Sequence, residues 1–326
     1  MTPLTTMFAS LSARAQGFAR LLTLVFTGTP STFTSSTMPS ASGWYGVAYG
    51  NGYYVAVQNA GGTACAYSTD GINWTASTMP SSKTWYGVTY GNGYFVAIAN
   101  GTTAGAYSTN GITWTASTMP SSSGWINVTY GNGYFVAVQN SGTTAGAYST
   151  NGTSWTASTM PFGGSNAGWW GVTYGNGYFV AIAFNTTAGA YSTNGTTWTA
   201  STMPSASFWF GVGYGNGYFV AVAGGPSTAG AYSTDGINWT ASTMPSTSSW
   251  QSVTFGNGYF VAVASTGSTG STTTVGAYST NGTTWTTSFM PSNSTWQSVT
   301  YGNGKFVAVA VNTTAGAYFA FTQNYV

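Results

Sequence analysis

The chain has 326 residues, of which only four are basic and two acidic, and it contains no histidine and a single cysteine. Nucleic-acid binding needs several lysines or arginines that face phosphates, so this composition excludes it. A lone cysteine cannot form an intrachain disulfide, and the sequence has no apolar run of about 18 residues that could span a membrane.

The surface must therefore be built from serine, threonine, asparagine and glycine. Such a surface has little charge repulsion, which favours self-association or incorporation into a larger assembly. The alternative is a neutral extracellular protein kept soluble by hydroxyls and amides. Aromatic residues make up 17% of the chain, which is far from the composition of a disordered protein.

Residues 1–30 lie outside any repeat and carry apolar residues at alternating spacings of three and four. On a helix this spacing makes one narrow apolar seam, so we predict a helical segment that docks onto a partner or onto copies of itself. The docking candidates are Phe8, Leu11, Phe18, Leu22 and Val25. The competing interpretation is a signal peptide, because Arg20 precedes a short apolar run, although no clear cleavage site follows it.

The rest of the chain repeats one stretch, whose clearest copy runs from Trp85 to Pro120. A Gly-Asn-Gly triplet recurs at intervals of about 40 residues, and a fixed period of that size indicates an array of supersecondary units. The central asparagines are Asn51, Asn92, Asn132, Asn176, Asn216, Asn257 and Asn303.

Each repeat is predicted to contain four antiparallel strands, named A to D. In the first repeat these are A at 44–49, B at 53–57, C at 64–68 and D at 74–78. Asn51-Gly52 predicts a hairpin between A and B, because both residues accept positive φ. Asp70-Gly71 turns the chain from C to D, and Met79-Pro80 is expected to end strand D. Four-stranded sheets repeated around an axis are the blades of a β-propeller.

The two ends of the chain predict how the ring closes. The last repeat lacks strand D, and Phe33-Thr-Ser-Ser-Thr-Met-Pro39 matches Trp74-Thr-Ala-Ser-Thr-Met-Pro80. We expect this N-terminal strand to supply the missing strand, which removes exposed sheet edges. The prediction is an all-β, seven-bladed propeller of antiparallel blades over residues 31–326, with blades at about 44–80, 85–120, 125–161, 169–204, 209–245, 250–291 and 296–320 plus 31–39.

A blade of this kind places its A–B and C–D turns on one face and its B–C and D–A loops on the other. The turns are the same in every repeat, whereas the loops differ in length, as at 162–168 and 265–275. Loops that vary on a rigid scaffold are where binding usually occurs. The alternative is drift at a face where insertions are harmless.

The segment Ser68-Thr-Asp70-Gly71-Ile-Asn-Trp74 resembles the Asp-box of sialidase-type (BNR-repeat) propellers, in a form shortened by one residue between Asp and Gly. Six copies are present, and four of them carry asparagine in place of aspartate. The resemblance implies a propeller, and in that family the Asp-box shapes a turn away from the active centre. Asp70 and Asp235 are accordingly predicted to be turn residues, because Asp and Asn both bond to local backbone N–H groups.

No catalytic or metal site is predicted, and no cofactor is expected. Glycoside hydrolysis needs a pair of carboxyl groups, or a tyrosine nucleophile supported by a carboxylate. The resemblance to sialidases would also imply an arginine cluster. The repeats contain neither glutamate nor arginine, and no histidine is available for a triad or for zinc. Calcium held by backbone and amide oxygens stays open, with nothing in the sequence pointing to it.

The residue after the tryptophan that opens strand A changes from repeat to repeat, while that tryptophan and the valine two residues later do not. It lies beside the variable face. Large aromatic rings near amides and hydroxyls suit sugar recognition, because a ring stacks on the apolar face of a sugar. The predicted ligand-binding residues are Tyr45, Tyr86, Trp170, Phe210, Gln251 and Gln297, with the loop residues Phe162 and Phe184. The alternative is that these side chains fill gaps between blades.

Taken together, these features look like a non-enzymatic virion protein, such as a bacteriophage tail or capsid fibre component with a BNR-like propeller. In this hypothesis residues 1–30 attach the protein to other virion proteins or to copies of itself. The variable face then presents a neutral surface, on the outside of the virion, to host glycans or proteins. The alternatives are a secreted bacterial lectin or adhesin at the cell surface and, third, a sialidase-like glycoside hydrolase.

Overall fold

The computed structural model describes residues 6–7, 24–162, 168–265 and 274–325. These residues form β-strands joined by turns and loops, and they include no helix. In this part of the chain there is accordingly no helix with the length and apolar character needed to cross a membrane.

In chain order, the first ten strands are β1 (Thr6–Met7), β2 (Leu24–Thr27), β3 (Thr34–Ser42), β4 (Trp44–Gly50), β5 (Tyr53–Gln58), β6 (Ala64–Ser68), β7 (Thr75–Thr78), β8 (Trp85–Gly91), β9 (Tyr94–Ser108) and β10 (Thr115–Gly131). The next nine are β11 (Tyr134–Gln139), β12 (Ala145–Ser149), β13 (Thr156–Thr159), β14 (Trp169–Gly175), β15 (Tyr178–Ser192), β16 (Thr199–Gly215), β17 (Tyr218–Gly224), β18 (Ser227–Ser233) and β19 (Thr240–Gly256). The last are β20 (Tyr259–Ser265), β21 (Val275–Ser279), β22 (Thr286–Phe289), β23 (Thr295–Gly302), β24 (Lys305–Val311), β25 (Thr313–Ala320) and β26 (Thr322–Tyr325).

The strands of each sheet pair antiparallel, and apart from the pairings of β3 and β26 each pairs with strands that adjoin it in the chain. One sheet contains β4 to β7, a second β8 to β13, and a third β14 to β22. The predicted strands A to D of the first repeat correspond to β4, β5, β6 and β7, with ends that agree to within a residue. Strands β10, β16 and β19 each supply strand D of one repeat and strand A of the next, so the larger sheets extend over more than one repeat.

The prediction that Met-Pro ends strand D is wrong for β3, β10, β16 and β19, since each of these strands continues through its Met-Pro pair. In β10 that pair is Met119-Pro120. The ladder with β9 nevertheless breaks there, because its pairing moves from Thr118 directly to Ser123. Proline has no N–H to donate, so it is tolerated at unpaired residues of an otherwise extended segment.

The last repeat is completed by the N-terminal strand, in the order β23-β24-β25-β3. Ser36 lies opposite Gly316, so the predicted supply of strand D by the N-terminal strand is confirmed. A further contact joins the last repeat to the first: Gly302 lies against the ring of Tyr49, and a Cβ on this glycine would lie 2.0 Å from that ring. The same glycine-to-aromatic contact links each repeat to the next, as at Gly50 and Tyr90. The repeats therefore form a closed ring.

The hydrophobic core lies between neighbouring repeats. Between the first and the second, Val55 and Val57 pack with Trp85 and Phe95. Each tryptophan that opens strand A is fully buried, and its ring N–H bonds to the carbonyl of the preceding D–A loop, at 3.0 Å in the case of Trp44. The tryptophan thereby fixes strand A both by packing in the core and by a hydrogen bond to the D–A loop that precedes the strand.

The A–B and C–D turns lie on the same face, as predicted. The central asparagines of the Gly-Asn-Gly turns all have positive φ, between 43° and 48°. The side-chain amide of Asn51 donates to the carbonyl of Thr109 in the C–D turn of the next repeat, at 3.3 Å. Four further repeats have the same link, from Asn92, Asn132, Asn176 and Asn216. We call this side of the ring the fixed face and the opposite side the variable face.

Residues 24–27 correct the helix prediction for the N-terminal segment. They form strand β2, in which Val25 lies opposite Asn324 of β26, and β1 pairs with the other edge of β2. The reason is that the last repeat has no C–D turn, so the C-terminal residues leave the ring and offer a strand partner to a segment rich in β-branched and aromatic residues. The docking candidates Phe8, Leu11, Phe18 and Leu22 lie outside the described residues.

This terminal sheet of β1, β2 and β26 lies on the fixed face. The ring of Phe26 lies against Gly304, the last residue of a Gly-Asn-Gly turn. The backbone N–H of Phe321 donates to the carbonyl of the same glycine at 3.2 Å. The terminal sheet therefore occupies the position at which the other repeats have their C–D turn.

Candidate ligand-binding site

The variable residues that follow the strand-A tryptophans converge on the axis of the ring. Strand A of every repeat contributes to one cavity of about 110 Å³, so strand A is the innermost strand. One side chain per repeat lines this cavity at its variable-face end, and we call the set the inner ring. Its members are Tyr45, Tyr86, Ile126, Trp170, Phe210, Gln251 and Gln297. Six of the eight predicted binding residues thus lie together, with Ile126 added.

The inner ring is held in place by close packing of neighbouring A strands. A Cβ on Gly46 would lie 2.5 Å from the carbonyl oxygen of Tyr86, so only glycine permits this approach. In the third, sixth and last repeats a polar side chain bonds across the same gap. Asn127 donates to the carbonyl of Trp170 at 3.3 Å, and Ser298 accepts from the N–H of Val47 at 3.4 Å.

One sector of the inner ring is aromatic. The rings of Tyr45 and Tyr86 lie 4.3 Å apart, and Trp170 contacts Phe210 edge to face at 4.8 Å. Phe184 lies 5.4 Å from each of Trp170 and Phe210, so this predicted loop residue joins the same cluster. Aromatic pairs at such distances and angles stabilise one another and keep each ring in a defined orientation.

The opposite sector is built from amides. Gln297 donates to the side-chain carbonyl of Gln251 at 3.0 Å. The amide nitrogen of Gln251 in turn bonds to the hydroxyls of Ser249 and Ser265, at 2.9 and 3.0 Å. An amide nitrogen has two donors, so these contacts occupy both and fix the direction of the Gln251 carbonyl.

The cavity is electrically neutral. None of the described residues that line it is an aspartate, glutamate, lysine or arginine. Burial raises the pKa of the Tyr45 hydroxyl above its ordinary value, and the neighbouring Tyr86 raises it further. Tyr45 is therefore an uncharged phenol at neutral pH, which can donate one hydrogen bond.

Phe162 does not line the cavity. Its side chain is 44% exposed, and its backbone carbonyl accepts the ring N–H of Trp169 at 3.2 Å, as serine carbonyls do in the other repeats. This backbone contact accounts for the position of Phe162 but not for its side chain.

The two aspartates lie in turns, as predicted. Asp70 accepts hydrogen bonds from the N–H groups of Ile72 and Asn73, both at 2.8 Å, and from the hydroxyl of Ser68 at 2.9 Å. Asp235 makes the equivalent contacts. Among the described residues, no three acidic, cysteine or histidine side chains lie close enough together to hold a metal ion.

A second variable position was missed by the sequence analysis. It is the residue just after the buried end of strand B, beside the inner ring, and comparison of the repeats at this position would have revealed it. Its members are Asn59, Asn100, Asn140, Phe184, Gly224, Ser265 and Val311. Asn100 bonds to Asn140 at 3.4 Å, and a Cβ on Gly224 would lie 1.9 Å from the ring of Phe210. These residues support the inner ring from outside.

Solved structures similar to this chain are β-propellers. Virginiamycin B lyase from Staphylococcus aureus matches with a TM-score of 0.74 at 15% identity, over 88% of this chain and 98% of the lyase. YCF48 bound to D1 peptide matches with a TM-score of 0.68 at 12% identity, over 90% of this chain and 96% of YCF48. The WD40 β-propeller domain of Doa1 matches with a TM-score of 0.67 at 10% identity, over 89% of this chain and 97% of that domain.

Identities this low establish the propeller fold and nothing about activity, since one fold carries many functions. No protein-family model matches the chain, and no curated protein matches its sequence. The Asp-box resemblance is therefore confined to the turn motif itself.

Proposed function

We propose that this chain is a seven-bladed propeller that serves as a non-enzymatic virion protein of the phage tail or capsid fibre type, and that its inner ring binds a neutral host-surface glycan. One observation carries the binding proposal: residues that differ between otherwise near-identical repeats converge on a single uncharged cavity. Packing of the blades alone does not require such a range of side chains at this position, because the tryptophan before it and the valine two residues after it are the same in every repeat.

The chemistry of the cavity suits a sugar. Tyr86, Trp170 and Phe210 offer aromatic surface for the apolar face of a sugar ring. The side-chain carbonyls of Gln251 and Gln297 can accept hydrogen bonds from its hydroxyl groups, and the second N–H of Gln297 can donate one. A ligand with a net charge would find no ionised partner among the lining residues, so a neutral glycan is preferred.

The position of the chain ends supports the proposal that the protein is attached to a virion. The terminal sheet lies on the fixed face, whereas the inner ring opens towards the variable face. Attachment through the N-terminal residues would leave the variable face free to contact a host surface. The seven-blade count is supported by the closed series of glycine-to-aromatic contacts from Gly50 to Gly302.

Glycan-array binding by the full chain tests the ligand class. We expect binding to neutral sugars that falls at least about tenfold in Tyr86→Ala, Trp170→Ala and Phe210→Ala, since each loses one stacking ring. Tyr94→Ala is the control, because Tyr94 adjoins a Gly-Asn-Gly turn on the fixed face. Binding that survives all three inner-ring substitutions would contradict the site.

Density-gradient fractionation of the native source, followed by mass spectrometry, tests the virion assignment. Co-migration of this chain with capsid or tail proteins is expected. Deletion of residues 1–23 should abolish incorporation while keeping β2 and its pairing with β26. Recovery only in the soluble or cell-surface fraction would instead indicate the secreted lectin or adhesin.

A further inference from the structure

We propose that a second sugar subsite adjoins the inner ring, between the fourth and fifth repeats, with Phe208 as its platform. This inference rests on the proposed glycan binding and deepens it. The ligand is then a linear neutral oligosaccharide that occupies both subsites, rather than a single sugar.

A separate cavity of about 240 Å³ lies at this place on the variable face, lined among others by Phe208, Asn185 and Pro226. Phe208 is 40% exposed, although it is a large apolar residue within strand β16. A single exposed ring is ordinary on a protein surface, but a ring that forms the wall of a cavity offers stacking area to a ligand.

Phe208 is not needed to build a blade. The residue before the strand-A tryptophan is small in every other repeat: Gly43, Thr84, Gly124, Gly168, Ser249 and Thr295. These repeats pack equally well without an aromatic ring, because their tryptophans are as fully buried as Trp209. The blade fold therefore does not require a large side chain at this position.

The backbone and the neighbouring rings hold Phe208 in a defined orientation. It lies opposite Phe184 of β15 and opposite Gly224 of β17 in the sheet. Its ring stacks on Phe184 at 4.7 Å with an interplanar angle of 12°. Gly225 lies so close that a Cβ there would be 2.5 Å from the Phe208 ring. A preorganised ring loses little conformational entropy when a ligand binds.

Phe184 connects the two subsites. It stacks on Phe208 on one side and contacts Trp170 and Phe210 of the inner ring on the other. Two ring-to-ring contacts thus separate the Phe208 platform from the axial cavity. The two cavities share no lining residue, but a linear oligosaccharide of a few units is long enough to reach from one to the other.

The polar groups around Phe208 match those of the inner ring in kind. Asn185 is exposed and presents an amide, and the hydroxyls of Ser205 and Ser207 lie 2.9 Å apart. None of the described residues that line this cavity is ionisable. An aromatic ring beside amides and hydroxyls without charge is again the chemistry that recognises a neutral sugar.

The test compares chain lengths. Wild-type protein and the variant Phe208→Ser, which copies the serine of the sixth repeat, are applied to an array of neutral hexose and N-acetylhexosamine oligomers of one to six units. For the wild type, we expect affinity to rise with oligomer length. In Phe208→Ser the affinity for the longer oligomers should be about fivefold to tenfold lower than in wild type. Affinity for the shortest oligomer that binds should be unchanged. Thr84→Ser, at the same position in the second repeat, is the matched control.

Equal binding of long oligomers by wild type and Phe208→Ser would overturn the subsite, as would wild-type affinity that does not depend on length. In both cases the proposed function would stand, provided that Trp170→Ala weakens binding of the short oligomers. Absence of wild-type binding at every length would overturn the proposed glycan function itself, and the subsite with it.

Discussion

The hydroxyl of Tyr54 in the first repeat donates a hydrogen bond to the backbone carbonyl of Gly302 in the last. The other repeats have phenylalanine at the position of Tyr54, namely Phe95, Phe135, Phe179, Phe219, Phe260 and Phe306. This hydrogen bond is therefore specific to the junction at which the ring closes. It acts together with the pairing of β3 and β25, which joins the N-terminal residues to the last repeat.

Replacement of Tyr54 by phenylalanine should lower the free energy of unfolding by about 1 kcal/mol, because a buried hydrogen bond is lost while the ring still fits. Urea denaturation measures this change. Tyr53→Phe is the control, because Tyr53 is only partly buried, and it should change stability by less than about 0.5 kcal/mol. Equal stability of wild type and Tyr54→Phe would show that the hydroxyl does not contribute to closure.

The same tyrosine makes stability fall at high pH. Burial raises the pKa of the Tyr54 hydroxyl above its ordinary value of 10.0, and the nearby Tyr49, Tyr301 and Asp70 raise it further. The unfolded chain therefore releases this proton at a lower pH than the folded protein does, so the contribution is complete below pH 10 and is lost above it. In urea denaturation between pH 9 and 11, wild type should lose more stability than Tyr54→Phe does.

In two C–D turns the aspartate is hydrogen-bonded to an asparagine three residues later. Asp70 is followed by Asn73, whose side-chain amide donates to the carboxylate at 2.7 Å, and Asp235 has the same partner in Asn238. The four copies with asparagine in place of aspartate have serine or threonine three residues later, as in Asn110 and Thr113. An asparagine at 70 would place one amide nitrogen against another.

Asp70→Asn alone should therefore destabilise the protein by about 1 kcal/mol, and the double variant Asp70→Asn with Asn73→Thr should recover most of that loss. Thermal and urea denaturation of the three proteins measure the effect. If the single variant were as stable as the double variant, the Asp–Asn hydrogen bond would contribute nothing to the turn.

Acid should weaken the same turns. Burial by itself would raise the pKa of Asp235, but hydrogen bonds from Asn238, from the N–H of Ile237 and from Ser233 lower it to about 2. The pKa of Asp70 is likewise lowered. A carboxylate with a depressed pKa contributes stability above its unfolded value of 3.8, and this is lost as pH falls towards the folded value.

Wild type should accordingly lose stability between about pH 4 and 2. A variant with Asn-Thr in place of Asp-Asn in both turns, at 70 and 73 and at 235 and 238, should be less sensitive over the same interval. Urea denaturation at a series of pH values compares the two proteins. If both proteins lost the same stability over this pH interval, the loss would not come from Asp70 and Asp235.

Gly224 controls the shape of the inner ring. Replacement by alanine should push the ring of Phe210 out of its place, because the added Cβ would lie 1.9 Å from that ring. We expect weaker glycan binding together with a loss of about 1–3 kcal/mol from overpacking. Val311→Ala, at the equivalent position of the last repeat, is the control. If Gly224→Ala bound the array as wild type does, the position of the Phe210 ring would not matter for ligand recognition.

The sequence by itself determined the repeat, the four strands, the turns and the strand that closes the ring. Each of these depends on local patterns: Asn-Gly has positive φ wherever it occurs, alternating valine and alanine make a buried strand, and a missing strand at one end matches a spare one at the other. The same patterns located the variable position that contains Tyr45 and Gln297. They did not say how far apart its members would lie.

Only the tertiary structure decided which variable residues meet. Tyr45 and Gln297 are far apart in the chain and share one cavity because ring closure brings the first and last A strands together. The strand β2 was predicted as helix, because its partner β26 lies at the other end of the chain and local spacing cannot reveal it. Phe208 and Phe184 likewise stack only because the register of β15 and β16 places them opposite each other. Backbone preference acts over a few residues, whereas a binding surface depends on contacts that chain folding alone creates.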